Sequence, residues 1–107
     1  MKIQKRPTDT IQYTLEAHKE TEGAPEFTLK PLSCERFDEV MNLFTSDRKV
    51  SALRSACLYG VKGWTNLEPE YTSSNAISSI QAFGIEWVAE LGNKIIEISQ
   101  VSETEKN

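Results

Sequence analysis

The stretch from Phe83 to Val101, FGIEWVAELGNKIIEISQV, constrains the fold more than any other part of the chain. Val88, Leu91, Ile95 and Ile98 recur at spacings of three and four, and Gly84 and Trp87 extend the stripe backward. Glu86, Glu90, Asn93, Lys94 and Glu97 fall largely on the opposite side. This pattern predicts a long amphipathic helix. A stripe so rich in Ile and Trp requires a covering layer, from this chain or from another copy. With 107 residues the chain has room for one modest core, so the rest of it is read as that layer.

Residues 1–9 are polar, carry Pro7 and are read as an irregular lead-in. Ile11, Tyr13 and Leu15 alternate with Gln12, Thr14 and Glu16, and Phe27, Leu29 and Leu32 repeat the pattern around Thr28 and Lys30. Two half-buried strands are expected, joined by the charged connection AHKETEGAP into a hairpin with a long loop. Ser33 caps the next element, a helix whose inner face carries Phe37, Val40, Met41 and Phe44. A second helix, capped by Ser46 or Asp47 and ended by Gly60, turns Val50, Leu53, Ala56 and Cys57 inward. Its small residues Ser51, Ala52, Ser55 and Ala56 allow a close neighbour. GVKGWTNL, residues 60–67, reads as a tight apolar turn with Trp64 plugging a gap between helices. A polar loop, Glu68 to Ser74, precedes a short helix that Asn75 caps and that carries Ile77 and Ile80.

The expected fold is therefore α+β: an N-terminal β-hairpin followed by three or four helices, the C-terminal one long and amphipathic. One domain spans 10–101, between the lead-in 1–9 and a polar tail 102–107. Its expected core comprises Phe37, Val40, Met41, Phe44, Leu53, Cys57, Trp64, Val88, Leu91 and Ile95.

Charge narrows the function classes. The net charge is −4, and residues 64–107 hold seven acidic against two basic side chains. That balance argues against binding a phosphate backbone, for which a basic stripe is the usual footprint. Gly60-Val61-Lys62-Gly63 matches a GXXG backbone clamp, but two fixed positions in an acidic setting weigh little. His18, the single histidine, has no second imidazole or cysteine pair to share a metal and reads as a solvated loop residue. Cys34 and Cys57 form no ligand or redox spacing and read as structural thiols. Glu35, Asp38 and Glu39 sit in a first helical turn, where carboxylates favour the helix dipole without any catalytic role. No catalytic residue, metal site or cofactor is expected, and the chain is read as a non-enzyme. No targeting or membrane-spanning stretch stands out, so a cytoplasmic site is expected. The apolar surface is the remaining clue: Trp87, Leu91, Ile95 and Ile98 on the long helix, divided between core and partner surface, and Tyr71 as an aromatic anchor.

Three runs, FTLKPLS before the first helix, LYGVKGWTNL in the middle and the closing AFGIEWVAELGNKIIEISQVSETEKN, occur in an order that resembles a group of small phage morphogenesis proteins, the tail assembly chaperones. The resemblance covers roughly three quarters of the chain, from Phe27 to the end. The polar stretch after the Gly-Trp pair, Glu68 to Ser74, is shorter than is usual in that group. What the resemblance implies is a non-enzymatic protein in the cytoplasm of an infected bacterium. Its partners would be the tape-measure and tail-tube proteins, or other virion subunits, with a homo-oligomer possible, no membrane and no nucleic acid. The terminal Glu105-Lys106-Asn107 is compatible with a slippery codon run, as in frameshifted longer forms of such proteins. A virion structural protein (minor head, connector, decoration or tail subunit) and a small regulatory binding module are the alternative readings.

Overall fold

The computed structural model describes residues 10–68 and 70–105, the last five through their backbone alone. The expected lead-in, 1–9, lies outside that range. Strands β1 (Ile11–Tyr13) and β2 (Glu26–Leu29) pair antiparallel, with Ile11 opposite Leu29 and Tyr13 opposite Phe27. Phe27 and Leu29 point into the core, whereas Thr28 hydrogen-bonds Gln12 across the outer face. The connection between them makes a 3-10 turn at Glu16–His18 and buries Leu15. Gly23, at φ 76°, supplies the left-handed turn position that a Cβ disfavours.

Helix α1 (Cys34–Thr45) starts where the sequence places it, with Ser33 Oγ accepting from the Arg36 amide. Its end differs from expectation. Asp47, at φ 68°, donates its N–H to the Phe44 carbonyl, and the Arg48 N–H reaches back to Leu43 O. These two bonds form a Schellman stop with aspartate in the position glycine usually fills. Asp47 therefore closes α1 rather than capping the next helix, and α2 (Lys49–Gly60) begins at Arg48 with no side-chain cap. Val50, expected on the inner face of α2, is 52% exposed. Of the face expected for α1, Val40 is fully buried, while Phe37, Met41 and Phe44 pack half-buried against the core.

The largest correction concerns residues 60–67. They do not turn: Val61–Thr65 form a third strand, β3, on the other side of β2 from β1. Thr65 faces Glu26, Trp64 faces Phe27 and Gly63 faces Thr28, but Val61 faces Leu29, so Lys62 is the extra residue of a β-bulge. The bulge lets Val61 and Trp64, three residues apart, both face inward. It also removes the period-two alternation by which a strand is recognised. Trp64 thus lies on the sheet, not between two helices.

Helix α3 (Ala76–Gln81) buries Ile80 but leaves Ile77 61% exposed. Asn75 stands at its start without capping it, because its side chain accepts from the Thr72 amide and donates to Glu70 O, holding the preceding loop. Helix α4 (Ile85–Glu105) begins after Gly84 and continues four residues past the expected end at Val101, since neither glycine nor proline stops it. Val88, Leu91 and Ile95 are fully buried. Leu53, Cys57 and Gly60 of α2 face this helix. The Cys57 thiol donates to Val88 O at 3.6 Å, and a Cβ on Gly60 would stand 2.6 Å from Ile95 Cγ2. Gly60 is thus required by close approach, not by a left-handed helix end. Ser99 ties the far end of α4 to the sheet side, accepting from the buried Leu32 amide at 2.8 Å while donating to Ile95 O.

Candidate functional site

Phe27 is the centre from which the site is built. Its ring meets Trp64, Phe83 and Trp87 edge-on, with centroids 6.4, 5.9 and 5.8 Å away. Phe83 and Trp87 are themselves 5.4 Å apart, so β2, β3 and the start of α4 are joined by one aromatic cluster. Two further rings extend it toward the surface: Tyr71 stands edge-on to Trp64 at 4.9 Å, and His18 meets Trp87 at 6.0 Å. His18 is therefore not the solvated loop residue expected; it is half-buried, with Nδ1 out of solvent and unpartnered.

Beside the cluster lies a groove of about 360 Å³ whose lining includes Trp64, Leu67, Glu68, Ser79, Ala82 and Phe83. On the same α3–α4 segment, Ile77 is 61% and Ile85 50% exposed. The charge of this run of chain is one-signed. From Gly63 to Asn93 the chain holds Glu68, Glu70, Glu86 and Glu90 and not one lysine or arginine. Among the described residues one guanidinium reaches in, that of Arg54, which donates to the Ile80 and Gln81 carbonyls and satisfies the C-terminal end of α3. Glu90 is occupied internally: it accepts from Tyr13 OH at 2.6 Å and from the Glu16 amide at 2.7 Å, pinning the hairpin to α4. Glu68, Glu70 and Glu86 remain exposed.

The structure divides the surface residues expected from sequence. Leu91 and Ile95 have no exposed surface and belong to the core, where α2 packs closely along α4. Trp87, Ile98 and Tyr71 are half-buried. Sequence reasoning missed Ile77 and Ile85 as surface residues, since both carry the residue type and spacing of an inner helical face. The absence of any cation from Gly63 to Asn93 was the signal that could have found this side. The remaining candidates take other places. Cys57 is buried, Cys34 is exposed, Lys62 and Gly63 of the GXXG match lie in β3, and Glu39 pairs with Arg36. Among the described residues no group of three or more His, Cys, Asp or Glu side chains could hold a metal ion. No helix among them is long and apolar enough to cross a membrane.

Two protons make this architecture sensitive to alkali. Burial pushes the Cys57 thiol from 9.0 up to about 12. Burial first, then the hydrogen bond to Glu90 and the surrounding negative charge, push the Tyr13 phenol upward from 10.0. Both groups keep their protons in the folded chain at pH values where the unfolded chain loses them. Their stabilisation is complete below pH 9, the unfolded thiol value, and is lost as pH rises toward the raised folded values. Melting temperatures followed by circular dichroism should be level from pH 7 to about 9 and decline above it. Tyr13→Phe and Cys57→Ala should each flatten that decline; an unchanged slope in both would contradict the assignment.

Neither a known protein family, nor a curated protein, nor a solved structure matches this chain.

Proposed function

We propose that the chain is a non-enzymatic protein-binding factor of virus morphogenesis, a tail assembly chaperone that holds apolar helical stretches of its partners until they are covered by their final neighbours. The observation that carries the binding reading is the pair Ile77 and Ile85, half-exposed or more on the α3–α4 segment that also lines the aromatic groove, within a run of chain that holds carboxylates and no lysine or arginine. Apolar residues in such a setting serve as anchors for a partner helix, with the acidic rim keeping the unbound protein soluble and opposing self-association. The choice of partners, tape-measure and tail-tube proteins, rests on the order of sequence runs that resembles the tail chaperones. A tape-measure protein is long and helical, so it exposes apolar stripes until the tube encloses it.

The test is calorimetric titration of the 107-residue chain with the tape-measure and tail-tube products encoded beside its gene. Binding is expected, and Ile77→Glu with Ile85→Glu should weaken it by about thirtyfold, as loss of two interface anchors does. Both positions are exposed, so the double variant should melt within a few degrees of the parent. Absence of binding overturns the proposal. So does a fixed copy number of this chain in purified mature particles, which would make it a virion subunit.

A further inference from the structure

A second cleft, of about 330 Å³, opens where the connection from β2 to α1 passes the junction of α2 and β3. Its lining includes Lys30, Ser33, Arg36, Tyr59 and Lys62, with Leu32 on the apolar wall. The fold places three cationic residues on this one cleft. The Lys30 amide donates to Gly60 O at 2.8 Å, carrying the β2–β3 pairing one step past Leu29 and Val61, and Lys62 is the bulge residue just beyond. The Arg36 guanidinium lies 4.4 Å from the Tyr59 ring centroid and bonds Glu39 at 3.1 Å, which fixes its position. Lys30 and Lys62 have no ion pair and no side-chain hydrogen bond among the described residues.

A lysine on a bulged edge strand has a bland explanation, since it deters pairing with other chains. That accounts for Lys62 alone. Lys30 follows the central strand, and it lines the same cavity as Lys62 and Arg36. Like charges gathered around one cavity repel, and among the described residues the one carboxylate seen to pair with any of the three is Glu39, already held by Arg36 and Tyr59. An anion in the cleft would relieve that repulsion, with Ser33 as a further hydrogen-bonding group and the positive end of α1 adding to the field. We propose that this cleft binds a multiply charged oxyanion of the phosphate type. Its volume is at the small end of ligand sites, enough for a phosphoryl group and a small body attached to it. The proposal is independent of the binding role assigned to the α3–α4 side.

The test is an amide NMR titration of the full chain with inorganic pyrophosphate, against sodium chloride at matched ionic strength. Saturable shifts are expected at Lys30–Arg36 and Leu58–Gly63. Lys30→Gln combined with Lys62→Gln should weaken binding about tenfold or more, whereas Lys49→Gln, at an exposed position starting α2, should leave it unchanged. A parallel titration with adenosine 5′-monophosphate and inorganic phosphate separates the sources. Tighter binding of the nucleotide assigns the apolar wall to an organic body, and equal binding assigns the site to the phosphoryl group alone. Pyrophosphate shifts no larger than those from chloride, or parent-like affinity in the double lysine variant, overturn the proposal.

Discussion

Replacing Phe27 by alanine is expected to lower the stability of the folded chain by about 3–5 kcal/mol, the cost of deleting a large buried ring whose surroundings cannot collapse into the space. Phe27 is fully buried at the middle strand of the sheet, and Trp64, Phe83 and Trp87 each approach it edge-on. Those three rings come from β3, the α3–α4 connection and α4, so they cannot close the cavity without dragging three elements together. A loss of this size is a large part of the roughly 5–15 kcal/mol that holds a domain folded. Urea unfolding followed by tryptophan fluorescence measures it. Phe37→Ala, on the half-buried face of α1, should cost clearly less. Equal losses at the two positions would show that the aromatic cluster is not the centre of the fold.

Gly92→Val is the second change with a large expected effect. A Cβ at this position would stand 2.8 Å from Leu53 O and 3.1 Å from Leu53 Cα. Both are backbone atoms of α2, so no side chain can swing aside, and α2 and α4 must move apart. Separation loosens the packing of Val88, Leu91 and Ile95, all fully buried. Overpacking of this kind costs about 3 kcal/mol, and valine's stiff branching in a helix adds to it. For a domain of this size the midpoint of thermal unfolding should fall by roughly 10–20 °C. Gly92→Ala should lie between, because alanine's better helix propensity returns about 1 kcal/mol. Gly84→Ala is the control: a Cβ there meets nothing within 4 Å, and its stability should stay within about 0.5 kcal/mol of the parent. If Gly92→Val melts like the parent, the helices are not in the contact described.

Particular residues show how far the sequence could be read. Ser33 announces α1, and Phe27 with Leu29 announces β2 by alternation, because caps and periodicities act within a few residues. The stripe of α4 was legible for the same reason, and Val88, Leu91 and Ile95 fall in the core as the spacing requires. Asp47 was misread because aspartate suits both a helix start and a left-handed stop, and only the bonds to Phe44 and Leu43 distinguish them. The two surfaces were legible only in outline. The acid-only run around Trp87 is plain in the sequence, whereas nothing local places Ile77 outside or brings Lys30 to Lys62.

By itself, then, the sequence determined the α+β class, the hairpin, the position of the helices and most of the α4 core contribution, all of which follow from interactions between residues close in the chain. Tertiary structure alone decided that Val61–Thr65 is a strand and not a turn, since its bulged register exists only against β2. It also decided which apolar residues of α3 and α4 are covered, because coverage depends on elements distant in sequence. The same cause applies to both clefts, whose walls are assembled by the sheet and helices from segments that no local pattern connects.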